Sequence, residues 1–331
     1  MSSRTRLIIV LVAALLLGGV SGLYLRMSAH DASGAPGPGG PLTLRATDSL
    51  LVRDTADGPG YGHLTQVAGN GTGERTVGEQ SCARVYAAAG TGICLRPSVE
   101  EIGGYEIAVL DGGGAVRRTI PMNGVPSRAR VSPSGRFLSW TTFVTGDSYA
   151  GTGTFSTRSG ILDLRDNVLA GTLETFAVTM DGKPYQGQDT NFWGITFTGD
   201  DNRFYATMST QGKRYLVEGD FAARRVRTLR DNVECPSLSP DGTRLVFKKR
   251  VSDDPARMWR FAVLDLATLR ETPLAESRSV DDQGAWLNDD TVMYGVPRED
   301  RRHADVWSVP ADGTGTPHLL VADAESPAKL G

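Results

Sequence analysis

The chain has 331 residues, of which 40% are hydrophobic and 22% charged, so it can bury a core and is not disordered throughout. The formal net charge is −3 and the sequence beyond residue 30 has no concentrated basic block, which argues against a nucleic-acid partner. The 40 glycines, spread between short apolar runs, indicate the frequent turns of an all-β protein.

Residues 1–27 form an N-terminal hydrophobic segment. Arg4 and Arg6 precede a stretch of 19 uncharged residues from Leu7 to Leu25, close to the ~20 residues that cross a bilayer. Arginines on this side keep the N-terminus in the cytoplasm and place the rest outside. The segment is either a single-pass membrane anchor, which its length favours, or a signal peptide cleaved near Val20-Ser21-Gly22. In the second case the protein is secreted.

Residues 28–43 are rich in glycine, proline and small side chains and show no periodicity. Such a segment cannot bury enough apolar surface to fold, so it is predicted to be a flexible tether.

From residue 44 to 331 a pattern of strand, polar turn and strand recurs. It is clearest in four segments, and a second hairpin follows most of them: 129–140, 195–206, 236–247 and 285–294. Equivalent positions lie 41 residues apart from Thr198 to Ser239 and 47 apart from Phe247 to Tyr294. Four strands at intervals of 40–50 residues are typical of β-propeller blades.

The fold class predicted is therefore all-β, a six-bladed β-propeller of four-stranded antiparallel blades. A seventh blade stays open because the N-terminal part is poorly patterned. The predicted blades are 44–80, 81–124, 125–189, 190–233, 234–277 and 278–331.

The turn sequences resemble those of the TolB-type, WD-repeat-like bacterial propellers. Segments 239–247 (SPDGTRLVF) and 132–140 (SPSGRFLSW) match that repeat, and 198–206 and 287–294 match in degenerate form. Segments 81–95 and 234–250 are similar to a subgroup of membrane-anchored actinobacterial proteins. The resemblance implies a six-bladed ring outside the cytoplasmic membrane that binds a protein of the envelope. The chain departs from TolB in that only 42 residues precede the first strand, so we expect it to lack a separate N-terminal α/β domain.

Catalytic and metal-binding signals are weak. Acidic pairs at 200–201 and 289–290 fall in repeat turns, where Asp is a good turn residue, whereas Asp281-Asp282 is more open to function. The four histidines do not have metal-ligand spacing and there is no G-x-S-x-G motif. We therefore expect no enzyme, no cofactor and no resident metal, with loop-bound calcium left open.

Three cysteines are present in a chain expected to be exported, where disulfides form. Cys82 and Cys94 flank a short turn and are the candidate pair, which would leave Cys235 buried and free. Sequence alone allows three pairings.

The first strand of each blade lines the central channel, so the residues that open these strands should converge at one channel mouth. The candidate ligand- or partner-binding residues are Arg84, Arg128, Arg130, Asn191, Trp193, Glu234, Asp282 and Gln283. Their mixed charge suits a peptide, a protein loop or a polar glycan. The alternative is a water-filled channel whose polar groups bond to one another.

The function predicted is a monomeric, membrane-tethered scaffold that binds a protein or ligand in the cell envelope. Two alternatives remain. One is an enzyme that processes envelope polysaccharide or peptide with channel carboxylates such as Asp282 and Glu234. The other is a sensor or regulatory partner of a membrane protein.

Overall fold

The computed structural model describes residues 41–144 and 156–331. The predicted membrane segment at 1–27, the tether up to residue 40 and residues 145–155 of the predicted third blade lie outside the described residues. The described chain forms a six-bladed β-propeller, as the sequence predicts.

The first three blades contain the following strands. Blade one has β1 (Ser49–Asp54), β2 (His63–Ala68) and β3 (Thr76–Ser81), joined by the last strand of the chain, β26 (Ala324–Leu330). Blade two has β4 (Arg84–Ala88), β5 (Thr91–Pro97), β6 (Tyr105–Leu110) and β7 (Val116–Met122). Blade three has β8 (Val125–Val131), β9 (Phe137–Val144), β10 (Ser156–Asp163) and β11 (Val168–Ala170).

The remaining blades follow in chain order. Blade four has β12 (Ala177–Met180), β13 (Lys183–Tyr185), β14 (Asn191–Phe197), β15 (Arg203–Thr210), β16 (Lys213–Asp220) and β17 (Arg225–Asp231). Blade five has β18 (Glu234–Leu238), β19 (Arg244–Arg250), β20 (Trp259–Asp265) and β21 (Glu271–Pro273). Blade six has β22 (Ala285–Asn288), β23 (Thr291–Pro297), β24 (Ala304–Pro310) and β25 (His318–Val321). Two single-turn 3₁₀ helices cover Leu173–Thr175 and Pro255–Arg257.

The ring closes through β26, which pairs antiparallel with β1 as the innermost strand of blade one. Ala324, Ala328 and Leu330 are buried there. The predicted sixth blade, 278–331, is therefore wrong at its end, since residues 324–330 belong to blade one. This closure pairs the edge that the first and last blades would otherwise expose.

Blade four corrects two further predictions. It has six strands rather than four, and β12 lies parallel to β17 at its outer edge. Residues 177–185, which the predicted bounds assign to blade three, thus extend the neighbouring blade. The 3₁₀ helix at Leu173–Thr175 precedes β12, and its Leu173 side chain is buried.

The core lies between adjacent blades, where alternate side chains of the strands face one another. Between blades three and four the Phe137 and Phe197 rings stack with centroids 5.6 Å apart, and Phe221 meets Phe137 edge-on at 5.0 Å. Aromatic pairs in this geometry stabilise the fold beyond what burial of their apolar surface contributes.

The repeat turns are built as the sequence predicts. In blade five the amide of Arg244 donates to the Ser239 hydroxyl at 3.0 Å, while Asp241 accepts from Thr243. Burial opposes ionisation of Asp241, but its hydrogen bonds with Ser239 and Thr243 lower its pKa to about 2. Asp289 accepts from the Asp241 amide of the neighbouring blade at 2.9 Å. These turn carboxylates therefore have structural partners.

The two faces of the ring differ in what they carry. All inner strands begin at one face, called the mouth face here, and the repeat turns lie at the opposite face. The chain enters at the opposite face, where the Leu44 amide donates to Gly112 O at 2.8 Å in the β6–β7 turn. Leu42 and Leu44 are buried there against blade two. The described chain therefore begins on the side of the propeller away from the mouth.

Cys82 and Cys94 form a disulfide, which confirms the candidate pair. Cys82 lies in the link between blades one and two, and Cys94 lies on β5 with its side chain fully buried. Cys235 is free and buried.

Candidate functional site

Backbone bulges shape the mouth ends of the inner strands. In β14 and β18 the pairing register shifts after Trp193 and after Glu234, respectively. Gly194 and Cys235 take positive φ values of 64° and 49° at these shifts. A bulge re-aims the side chains beside it, and here it turns Trp193 and Glu234 toward the mouth.

A cavity of about 560 Å³ opens at this face, off the ring axis and between blades three, four and five. This volume lies within the range of small-ligand sites. Its lining includes Ser127, Arg128, Thr141, Phe143, Thr157, Trp193, Arg214, Glu234, Cys235, Lys248, Arg250, Met258, Trp259 and Asp281. We call it the mouth cavity.

Glu234 is the buried acid of the mouth cavity, with only 6% of its surface exposed. Its Oε1 lies 3.3 Å from Arg214 Nε, yet neither atom makes a hydrogen bond with a described residue. Burial raises the pKa of Glu234, although Lys248 and Arg214 act in the opposite sense. The carboxyl is therefore easier to protonate than an exposed glutamate.

Asp281 is the second acid and lies at the rim, with its side chain 66% exposed. Lys248 Nζ is hydrogen-bonded to its Oδ1, and Arg128 approaches the same oxygen at 3.4 Å. Desolvation opposes its charge, but Lys248 and Arg128 outweigh it and lower the pKa of Asp281. The pKa values of the two acids in this cavity are thus shifted in opposite directions.

Cations outnumber acids in the lining. Arg128, Arg214, Lys248 and Arg250 face two carboxylates, one of which has a raised pKa. Lys248 is almost fully buried, and its Nζ lies 4.3 Å from the centroid of the Trp259 ring, within cation–π distance. With Trp193, Met258 and Phe143, this ring forms an apolar wall beside the positive charges.

Below the mouth, side chains cross the channel. Arg130 of blade three donates to the carbonyl oxygens of Gln283 and Gly284, just before blade six on the opposite side of the ring, at 3.3 and 2.7 Å. Gln283 donates in turn to Pro236 O at 2.8 Å. Both side chains are buried, and burial lowers the pKa of Arg130. We call this pair the channel crossing.

The structure divides the predicted site residues into three groups. Arg128, Trp193 and Glu234 line the mouth cavity, and Arg130 and Gln283 form the channel crossing. Arg84 and Asp282 lie beside Arg128, Arg130 and Gln283 around a small space of about 20 Å³, whereas Asn191 lines neither space. Arg84 donates to Ser127 O at 3.0 Å, Asn191 accepts from the Thr157 amide at 3.0 Å, and Asp282 accepts from the Gly295 amide at 3.0 Å.

Several cavity residues are absent from the sequence-based set. Lys248 and Arg250 end the second strand of blade five, Trp259 begins its third strand, and Arg214 begins the third strand of blade four. The sequence-based set was drawn only from residues that open the inner strand of each blade, so it could not include side chains from these strands. The signal that could have found them is the basic run Lys248–Arg250 after a buried apolar strand, which places cations where β19 reaches the mouth face.

The described residues hold neither a metal-binding cluster nor a membrane-spanning helix. Residues 41–144 and 156–331 contain no group of three His, Cys, Asp or Glu side chains placed to hold a metal ion. None of the helices in those ranges is long and apolar enough to cross a membrane.

Comparison with known proteins supports the fold. The sequence matches no protein-family model and no curated protein. Among solved structures, it is similar to TolB from Acinetobacter baumannii, with 18% identity, a TM-score of 0.58, and coverage of 85% of this chain and 66% of that chain. A chain of the nidogen/laminin complex matches with 12% identity, a TM-score of 0.55, and coverage of 85% and 97%. The chain therefore has a TolB-like propeller fold and spans about two thirds of the TolB structure.

Proposed function

We propose that this protein is a binding scaffold of the cell envelope that holds a protein or ligand at its mouth cavity. The single observation that carries the proposal is a concave site at the mouth face that combines an apolar wall with charged groups of both signs. Sites of this composition, with few but well-placed polar groups, are typical of ligand binding. The TolB-like fold agrees with a binding role but does not name a partner.

The location is part of the proposal. The hydrophobic segment at 1–27 serves as a membrane anchor, and residues 28–40 connect it to the propeller. Since the chain joins the ring at the face opposite the mouth, this attachment does not cover the mouth cavity. The flexible tether then leaves the cavity accessible to a partner outside the membrane.

Crosslinking in intact membranes tests this function. The full chain would be compared with a Phe143→Ala/Trp259→Ala variant, which removes two rings of the cavity wall. The matched control is Val168→Ala/Leu169→Ala, which removes two exposed apolar side chains from the outer strand β11. We expect the cavity variant to lose a specific crosslinked partner and the control to retain it. An unchanged set of partners in the cavity variant contradicts the proposal.

The anchor has its own test. Replacing residues 1–27 with a signal peptide of known cleavage should move the protein from the membrane fraction to the soluble extracytoplasmic fraction. If the native chain is already soluble there, the anchor is wrong and residues 1–27 are a cleaved signal.

One observation favours a second candidate, an envelope hydrolase. Glu234 has a raised pKa and Asp281 a lowered one within the same cavity, and such a divided pair can serve as acid and base. This replaces Asp282 of the sequence-based pair, whose carboxylate is bonded to the Gly295 amide. Release of soluble fragments from purified cell wall, abolished by Glu234→Gln, would support this candidate. A rate equal in wild type and variant excludes it.

A further inference from the structure

We propose that the mouth cavity binds the C-terminal carboxylate of a peptide whose last residue has a large apolar or aromatic side chain. This inference rests on the proposed binding function and names its ligand class. Three features of the cavity carry it: unmatched hydrogen-bond donors, a buried acceptor and an apolar wall.

The donors come first. Arg214 donates a hydrogen bond to Gly212 O, and Arg250 donates one to Asp253, whose side chain is 95% exposed. The Nε atoms of Arg128, Arg214 and Arg250 are buried and have no hydrogen-bond partner among the described residues. A guanidinium group can offer five donors, so Arg214 and Arg250, whose terminal nitrogens make one described hydrogen bond each, retain donors for the cavity. Both terminal nitrogens of Arg128 are already bonded, to Ser127 and Asp281. Carboxylate is a strong, often bidentate, partner for arginine.

Glu234 limits the charge of the ligand. It is buried in the same lining, and a dianion such as phosphate would meet strong repulsion from it. A ligand with a single negative charge meets less repulsion from Glu234. The carboxylate of Glu234 can also accept from the amide N–H next to a peptide terminus, because its Oε1 is engaged only in the ion pair with Arg214 among the described residues.

The apolar wall selects the side chain of the ligand. Trp193 and Trp259 are joined by Phe143, which has no hydrogen-bonding group, and by Met258, whose thioether is only a weak acceptor. Such a surface favours an apolar or aromatic side chain over a polar glycan.

The shape favours a chain end. The channel crossing of Arg130 and Gln283 blocks the ring axis beside the mouth cavity, so an occupant of the cavity enters and leaves at the mouth face and does not thread through the propeller. At the rim, Asp281 is exposed, and the rest of a peptide can leave toward solvent there. A terminal residue inserted from the mouth face meets all three features.

The experiment measures binding of N-acetyl-alanyl-phenylalanine to the full chain in detergent, by calorimetry and by the fluorescence of the cavity tryptophans. We expect the free acid to bind and its C-terminal amide to bind about tenfold more weakly or worse, since buried charged donors are costly to leave unpaired. N-acetyl-alanyl-alanine should also bind more weakly than the phenylalanine peptide. Equal affinity for acid and amide overturns the proposal.

Variants locate the site. Arg214→Gln/Arg250→Gln should remove the preference for acid over amide. Arg225→Gln, a change of an exposed arginine outside the cavity on the same blade, should retain it. If circular dichroism shows that the double variant does not fold, Trp259→Phe is the second test. It should weaken binding of the phenylalanine peptide but not binding of the alanine peptide.

Two further probes separate ligand sources. If glucuronic acid binds as tightly as the peptide, the ligand of the cavity is an acidic glycan. If N-acetyl-phenylalanine binds as tightly as the peptide, the ligand is a free small acid. Either result overturns the peptide assignment. If the crosslinked partner depends on the cavity rings while no acid-over-amide preference is seen, the ligand class fails and the scaffold function stands.

Discussion

At the scale of single residues, the mouth cavity depends on a buried carboxyl that is not fully paired. Burial raises the pKa of Glu234 above its ordinary value of 4.5, so the folded protein holds this proton more tightly than the unfolded chain. Stability linked to this group is therefore present at low pH and is lost as the pH rises from about 4.5 through the folded pKa.

A Glu234→Gln substitution tests this linkage. We expect the free energy of unfolding of wild type to fall relative to the variant as the pH rises above 4.5. Chemical denaturation at several pH values gives the difference, in which the titration of other carboxyls cancels. A difference that is constant with pH, or that changes in the opposite direction, would contradict the raised pKa.

Gly194 is the second residue on which the cavity depends. Its φ is +64°, and a Cβ there would come within 2.6 Å of Cys235 Cα in the neighbouring blade. Gly194→Ala should therefore cost about 2 kcal/mol or more of unfolding free energy, from strain and from separation of the two strands. Gly171→Ala is the control, because its Cβ would meet nothing within 4 Å. Equal stability of the two variants in urea would disprove the close approach.

At the scale of elements, the disulfide holds the first hairpin of blade two to the link from blade one. The cysteines are 12 residues apart in sequence. Replacing both by serine should lower the free energy of unfolding by about 3 kcal/mol, because a loop of this size gains entropy in the unfolded chain. Reductant should destabilise wild type by a similar amount and leave the Cys82→Ser/Cys94→Ser variant unchanged. A variant as stable as oxidised wild type rules this contribution out.

The sequence predicted those elements whose signal lies in a short stretch of neighbouring residues. The turn at Ser239–Arg244 and its copies follow from Pro, Asp and Gly chemistry, so the count of blades and most strands could be predicted. The pairing of β12 with β17 could not, because parallel contact between distant segments leaves no mark in either one. The same limit explains the site. Trp193 and Glu234 open inner strands and were found, whereas Lys248 and Trp259 reach the cavity from outer strands whose side-chain directions depend on twist and bulges.

At the scale of the whole molecule, ring closure joins the two ends of the described chain. Deletion of residues 323–331 would expose the edge of β1 and remove buried Ala324, Ala328 and Leu330. We expect a lower melting temperature and faster amide exchange in β1, since an unpaired inner strand loses both hydrogen bonds and packing.

A permuted chain is the matched control for that deletion. Moving residues 323–331 ahead of residue 41 through a flexible linker supplies the same strand from the other end, because Leu330 pairs with Ser49 at the face where the chain enters. The permuted chain should recover most of the lost melting temperature. If it melts like the deletion, the loss is not due to the missing strand.

The channel crossing has a consequence for traffic through the protein. Since Arg130 and Gln283 join opposite sides of the ring, a molecule that enters from the mouth face must also depart from it. Arrival and departure then share one opening, so a bulky partner seated over that opening would slow the escape of anything beneath it. The far side of the ring, separated from this exchange, is free to contact another macromolecule without competing for the same entrance.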